Sequence, residues 1–562
     1  MTNKYDHLDR QTLIGLLQRR DAERQLGLVW ERDEIEADQA LNDDFVALSL
    51  DAGLSHGEAP WDNLIIEGDN YDALRALRMT HKGAIRCIYI DPPYNTGNKD
   101  FVYNDRFVDK THRFRHSLWL EFMYRRLQLA KELLADDGVI FVSIDDNEVF
   151  RLGMLMDRVF GSDRKLACLT WQTNGNFDNQ AKIKIAHEYV LAYAKDPEIF
   201  PMPAVVDPNV PDTSKLFRSE IRNTIVKNGP KNPVSEIFLP AGFPASFNEG
   251  VVHKRNDERW PKIERDICVL NGCLESGVIV RSGWANKDLC QKFIAGGFEN
   301  IKDSKGQDTR FEITPTGAIE NVKVRNASHV ISVLRNMGST QADSSLLADM
   351  DIRFTYPKPV NLIQYLISII SDDEATVLDF FAGSGTTAHA VAKLNAEDGG
   401  SRKFIMVSNT EATEDEQDKN LCRDVCAERV RRVLGGYTNA KGQPVEGLGG
   451  GFAYLRTRRI PKHRLALKLD HAEVWHALQL LHSRPLSHWS GGGFASDGEV
   501  AYLADFQAAH VEQLREWLRT RTSAVAAVYT WSTERLNGLL GETAADLSLL
   551  PLPRHLRERF GR

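Results

Sequence analysis

Two apolar runs of strand length, AIRCIYI at 84–90 and ATVLDF at 375–380, each end in a loop that a paired strand cannot continue through. After the first comes Asp91-Pro92-Pro93-Tyr94. Proline lacks a backbone N–H, so two in succession end a ladder and leave a stiff, extended loop. After the second comes Gly383-Ser384-Gly385-Thr386-Thr387. Its glycines reach conformations closed to other residues and let a ligand approach the backbone. Helix-like segments alternate with both runs and with NLIIE (63–67), VIFVSID (139–145), HEYVLAYAK (187–195) and KFIMVS (403–408). That alternation predicts βαβ units and an α/β fold with a mostly parallel, doubly wound sheet.

The pattern breaks twice. Residues 200–345 mix Pro, Gly, Asn and charges without clear periodicity, which suggests a separate domain or a large insertion. After about 440 a Gly-rich passage leads into a region rich in Trp, Leu and Arg. At 562 residues the chain is too long for one core. A formal charge of −8 argues against a uniformly basic nucleic-acid coat while allowing a local basic cleft. Seven cysteines without a CxxC pair suit a reducing cytoplasm, and no metal site is expected. The polar N-terminus has no signal-peptide core, and no apolar run is long enough to span a membrane.

The first loop reads as a grip for a planar amine. Asp91 supplies a carboxylate, Pro92 a carbonyl without a neighbouring N–H, and Tyr94 an aromatic face, with Pro93 holding the loop rigid. The second loop is less specific. Gly383-Ser-Gly385-Thr-Thr-Ala388 also fits a dinucleotide turn, with Glu411 after the next strand able to hold a ribose in either case.

Together the two loops resemble the amino-methyltransferases that use S-adenosylmethionine on adenine N6 or cytosine N4 of DNA. The catalytic loop precedes the cofactor loop, and the irregular block lies between them, as in the β class. GDNYDALRAL, IYIDPPYNTG with DFVYND, HEYVLAYAK, FTYPKP, VLDFFAGSGTT and FIMVSNTE resemble the modification (Mod) subunits of type III restriction–modification systems. The resemblance covers about 60–200 and 350–455.

It implies a Rossmann-like methyltransferase with an inserted α+β target-recognition domain and a C-terminal α/β or helical region. The divisions expected are a helical arm (1–60), the catalytic half (61–199), the target-recognition domain (200–349), the cofactor half (350–440) and a C-terminal domain (441–562). It also implies catalysis by Asp91, Pro92, Pro93 and Tyr94 on a flipped-out base, and S-adenosylmethionine on Asp379, Phe381, Gly383, Gly385 and Glu411. Asp69 binds the cofactor adenine or caps the following helix. Lys358 holds the cofactor carboxylate or a phosphate, or is a solvated helix-start residue. His187 and Glu188 shape the base pocket or pack, and Asn95, Thr96 and Gly97 shape the loop. Double-stranded DNA, a second copy of the chain and a restriction (Res) subunit are the partners implied.

Asp before Pro-Pro-Tyr favours adenine N6 by that resemblance. The rivals are a cytosine-N4 enzyme and a specificity subunit that mainly recruits a nuclease; a dehydrogenase leaves the Asp-Pro-Pro-Tyr loop unexplained. Basic stretches around 218–232 and 252–262, with Trp260, are candidates for DNA contact. No GxxxxGK[ST] motif and no Pro-Cys dipeptide occur, so neither an ATP motor nor a cysteine nucleophile is expected.

Overall fold

A computed structural model describes residues 9–15, 30, 44–96, 102–103, 106–107, 115–173, 182–211, 213–214, 220–303, 306–324, 329–412, 416–520, 526–541, 547–552 and 554–561. The chain divides into two compact units. The larger is Met1–Pro203 with Ile331–Arg562, and the smaller is the contiguous Ala204–Val330.

In the larger unit, strand β1 (Phe45–Leu50) precedes β2 (Asn63–Glu67), helix α1 (Asn70–His81) and β3 (Ile85–Ile90). Helix α2 (Arg115–Leu133) leads to β4 (Leu134–Ile144), α3 (Val149–Phe160), β5 (Lys165–Gln172) and β6 (His187–Ala194). After the smaller unit come β7 (Val333–Leu334), α4 (Thr340–Asp349), α5 (Val360–Ser368), β8 (Thr376–Asp379), α6 (Thr386–Asp398) and β9 (Lys403–Ser408). A π-helical turn, Cys422–Ala427, runs into α7 (Glu428–Gly435), followed by β10 (Phe452–Ile460) and α8 (His471–Leu481).

These strands form one ten-stranded sheet in the order β1-β10-β2-β9-β8-β3-β4-β6-β5-β7. Pairing is parallel from β10 to β4, and antiparallel for β1–β10, β4–β6 and β6–β5. The central strands are apolar at nearly every position because helices cover both faces. Leu64, Ile66, Ile88, Ile90, Leu378 and Ile405 join one buried cluster with α1, α2, α3 and α8. The alternate residues Ile65, Cys87, Tyr89, Val377 and Met406 are equally buried, and α5, α6 and α7 pack as a second helix layer.

Strands β3 and β8 are neighbours although their loops lie at 91 and 379 in sequence. Val377 pairs with Cys87 and Leu378 with Ile88, so both loops leave the same sheet edge side by side. From β3 the chain crosses by α2 to β4, and from β8 by α6 to β9 on the other side. This is a topological switch point, the place where open α/β sheets bind ligands.

The sequence reading needs correction at several boundaries. Residues 45–50 are not part of a helical arm but the edge strand β1, paired with β10; the rest of that arm falls largely outside the described residues. Strand β10 sits between β1 and β2 in the main sheet, so the sheet does not end before 441. Helix α4 belongs to the larger unit, which resumes at Ile331 and not at 350. Beyond α8, strands 494–497, 500–503, 526–530 and 547–551 form a small sheet whose Val500, Tyr502 and Tyr529 join the main core.

The smaller unit is α+β. Among its described residues are two three-stranded sheets, one four-stranded sheet and the helix Lys287–Ala295, around a core containing Phe243, Trp284, Phe293 and Phe311. Two of its cations are tied to neighbouring carboxylates: Arg222 bonds Glu312 at 2.6 Å and Arg259 bonds Asp257. Trp260 is partly exposed, with the Lys262 ammonium 4.8 Å from its ring centroid. Among the described residues no helix is long and apolar enough to cross a membrane, and no cluster of metal-ligating side chains occurs.

Candidate active site

Asp91 is the first residue beyond β3. Its Oδ2 lies 2.9 Å from Lys358 Nζ. Its Oδ1 is buried and has no hydrogen-bond partner. The loop that carries it is pinned behind. Trp119, fully buried on α2, donates from Nε1 to the Pro93 carbonyl at 2.7 Å. Asn95 is completely buried in the left-handed region at φ 56°, and its Nδ2 donates to Glu148 Oε1 at 2.5 Å. His116 Nδ1 reaches the same oxygen at 2.5 Å. The loop therefore leaves Tyr94 through a turn fixed by a buried carboxylate. Thr96 follows it, and Gly97 and the DFVYND segment lie largely outside the described residues.

Tyr94 and Glu188 complete this end of the site. The Tyr94 hydroxyl donates to Glu188 Oε2 at 2.8 Å, and Lys358 Nζ approaches the same oxygen at 3.3 Å. The ammonium also sits 4.8 Å from the Tyr94 ring centroid. Burial opposes the charge on Lys358, but Asp91 and Glu188 outweigh it and hold its pKa above the usual lysine value. Burial first, then the charges of Asp91 and Glu188, push the Tyr94 phenol well above its ordinary range. His187 faces elsewhere, with Nε2 2.8 Å from the Tyr189 hydroxyl.

Lys358 arrives here for a local reason. It lies between Pro357 and Pro359, just before α5, whose first N–H (Val360) donates to buried Asp343 Oδ1 at 3.1 Å. The structure thus brings Lys358 to the Asp91 loop. No cofactor carboxylate is needed to account for its burial, and it is not a solvated helix-start residue.

The second loop is built from within. Asp379, at the end of β8, accepts from Phe381 N at 2.9 Å and from Thr387 Oγ1 at 2.6 Å. Burial raises its carboxyl to about 7, against those two hydrogen bonds and helped by the charge of Asp91. Gly383 and Gly385 have φ of 49° and 76°, the left-handed region that favours glycine. A Cβ on Gly385 would lie 3.1 Å from the Cys426 carbonyl oxygen, whereas one on Gly383 would meet nothing nearer than Phe354 Cζ at 3.5 Å. Beneath the turn, fully buried Arg429 donates from Nη1 to Ser384 Oγ at 3.0 Å and Thr386 Oγ1 at 2.8 Å. Its Nη2 lies 3.6 Å from Asp343 Oδ1. Burial lowers its pKa to about 10, with Asp343 opposing. Arg429 and Asp343 thus connect the glycine turn to the start of α5 and so to Lys358.

The remaining predicted residues lie around this turn. Asp69 caps α1, accepting from Tyr71 N and Asp72 N, and its Oδ2 pairs with Arg126 at 3.2 Å. Arg126 also bonds Asn70, whose Nδ2 reaches the Phe380 carbonyl at 2.9 Å. The Phe381 ring packs 5.9 Å from Phe122. Glu411 follows β9 at φ 51°, half-exposed, 3.2 Å from Lys419 Nζ.

The sequence reading missed Arg429, Asp343 and Glu148. Arg429 was legible in part: it lies on the stripe Cys422, Cys426, Val430, Val433, all buried.

A family model for DNA methylases matches residues 85–415. The chain belongs to this DNA methylase family. It is 34% identical over 384 residues to the type III restriction-modification enzyme EcoPI Mod subunit of Escherichia phage P1, covering 62% of this chain and 58% of that one. To the EcoP15I Mod subunit of Escherichia coli it is 30% identical over 421 residues, covering 66% and 63%. To the type II methyltransferase M.KpnI of Klebsiella pneumoniae it is 30% identical over 355 residues, covering 61% and 79%. The chain thus spans less than two thirds of the length of these two Mod relatives. The matched span begins at β3, runs through the inserted unit and ends beyond β9, so it contains both loops of the site.

Proposed function

We propose that this DNA methylase transfers a methyl group from S-adenosylmethionine to adenine N6 of a base flipped out of duplex DNA. The observation that carries the reading is the buried, unpartnered Asp91 Oδ1 beside Tyr94, on the loop next to the glycine turn. A buried acceptor without a donor costs free energy unless a ligand supplies one.

The residues present fit the cofactor. The open side of Gly383, the α6 N-terminus and Asp379 suit its methionine end, and Glu411 suits the ribose hydroxyls. Phe381 belongs with the methionine end in this reading, and Asp69, close by at the start of α1, suits the cofactor adenine. When bound, the cofactor supplies a sulfonium methyl.

Asp91 Oδ1 accepts one hydrogen of the exocyclic amine and the Pro92 carbonyl the other. That steers the nitrogen lone pair out of the ring plane and opposes the positive charge that develops on it. Tyr94 stacks on the base and offsets part of the few kcal/mol lost on unstacking. The Trp119 bond to Pro93 and the Asn95–Glu148 bond keep this geometry preorganised.

Duplex DNA is the partner of this reading, with target recognition assigned to the smaller unit. The names of the Mod relatives support a restriction subunit as a further partner, and a homodimer goes with the same reading. Seven unpaired cysteines support a cytoplasmic location. The test is nucleoside mass spectrometry on DNA from cells expressing the wild type or Asp91→Ala. N6-methyladenine present only with the wild type is the expected result. N4-methylcytosine would reassign the base with the same site, and neither base would overturn the reading.

A further inference from the structure

We propose that Lys358 and Glu188 are positioning residues that fix one oxygen and the charge of Asp91, leaving its other oxygen to the substrate amine. The inference rests on the reading of Asp91 above and assigns work to two side chains outside the Asp-Pro-Pro-Tyr motif.

The geometry gives Asp91 two unlike oxygens. Oδ2 is held at 2.9 Å by Lys358, and Oδ1 is buried without a partner. A carboxylate held at one oxygen cannot spin freely, so Oδ1 keeps one direction. Lys358 is held in turn at Glu188 Oε2, which also accepts from the Tyr94 hydroxyl. Base-stacking ring, acid and ammonium therefore share one hydrogen-bonded frame. Because the ammonium lies over the Tyr94 ring, that part of the ring is taken, and the base stacks on what remains.

The frame also sets charge. Asp91 and Glu188 carry two negative charges and Lys358 one positive, which leaves one net negative charge facing a nitrogen that becomes positive. Among the described residues, the Tyr89 and Tyr94 phenols and the buried Asp379 carboxyl also face Asp91. None of them can replace the cation. Without Lys358, Asp91 Oδ2 would lose its partner, the carboxylate could turn about its Cβ–Cγ bond, and Oδ1 would no longer keep one direction.

The test is steady-state methyl transfer by the full chain, with labelled S-adenosylmethionine at saturation and genomic DNA from a methylation-free host. In Lys358→Met kcat is expected to fall at least about tenfold. In Glu188→Gln kcat falls as well, since Lys358 and the Tyr94 hydroxyl lose their shared carboxylate. The double variant falls less than the two single losses multiplied together, because both act on Asp91, and Lys358→Arg keeps most of the wild-type kcat. Equilibrium dialysis is expected to show cofactor affinity within about twofold of wild type in all four. A purely structural role would lower kcat, cofactor affinity and the melting temperature together and would not be rescued by Lys358→Arg; that result overturns the proposal. So does loss of cofactor binding in Lys358→Met with kcat at saturation unchanged, which would place Lys358 on the cofactor. If the wild type itself transfers no label to DNA, the proposed function fails first.

Discussion

Gly383 and Gly385 stand two positions apart in one turn, yet alanine at each is expected to break different things. At Gly385 the new Cβ would lie 3.1 Å from the Cys426 carbonyl oxygen, 3.2 Å from Cys426 Sγ and 3.3 Å from Val430 Cγ2. The carbonyl belongs to the π-helical turn and cannot swing aside. The backbone at φ 76° costs a side-chain-bearing residue about 1–2 kcal/mol. Overpacking adds about 1–3 kcal/mol. Gly385→Ala should therefore lose about 2–5 kcal/mol, while molecules that remain folded keep their cofactor affinity, because the Cβ points into the π-helical turn and the start of α7. At Gly383 the nearest atom is Phe354 Cζ at 3.5 Å, an ordinary contact, so only the backbone cost of about 1–2 kcal/mol applies. That Cβ stands on the open side of the turn, and S-adenosylmethionine should bind at least about tenfold more weakly, about 1.4 kcal/mol. Hydrogen exchange on peptides covering 376–408 reads the first quantity without interference from the smaller unit. Equilibrium dialysis reads the second. A Gly385→Ala protein as stable as wild type, or a Gly383→Ala protein that binds cofactor normally, would refute the division of labour.

Three further outcomes are expected. Arg429→Met leaves Asp343 buried without its cation and should cost about 3–5 kcal/mol, with part regained in Arg429→Met/Asp343→Asn; thermal melts check both. Asp379 has a folded-state pKa of about 7, above its ordinary value of about 3.9, so the folded state holds its proton more tightly. Its contribution is full at low pH and is lost as pH rises from about 4 through about 7, so Asp379→Asn should gain stability relative to wild type over that range and level off above it; melts across pH 5 to 8 test the sign. Asn95→Ala removes the bond to Glu148 and should cost about 1–3 kcal/mol. It should lower kcat more than cofactor affinity, because the loop it holds carries Tyr94.

The parts of the site set by local sequence were legible. Apolar runs ended by Pro-Pro or by Gly-x-Gly located β3, β8 and the two loops, and alternation with helices predicted the sheet between them. The parts set by distant pairing were not. Nothing near Lys358 indicates that it meets Asp91 and Glu188, since these residues come together only when β3, β6 and the start of α5 converge. Arg429 reads as one cation in a charged run, AERVRRV, until its place on the apolar stripe is counted. Strand β1 was readable as FVALSL but was masked by the charged segments around it. For the same reason the end of the sheet was set too early, because β10 follows a Gly-rich passage and finds its partners at 45–50 and 63–67.

That arrangement sets an order of assembly during synthesis. Strand β2 is flanked by β9 and β10, so neither of its edges can be covered until residues 403–460 have been made. The smaller unit is contiguous, and its two ends are tied together by Asp207 N to the His329 carbonyl and His329 N to the Val205 carbonyl, each at 2.8 Å. It can close on itself as soon as it emerges, while the first strands of the main sheet wait with open edges. A chain released before 452 would therefore carry a finished insert on an unfinished sheet, with β1 lacking the strand it pairs with and β2 open along one side.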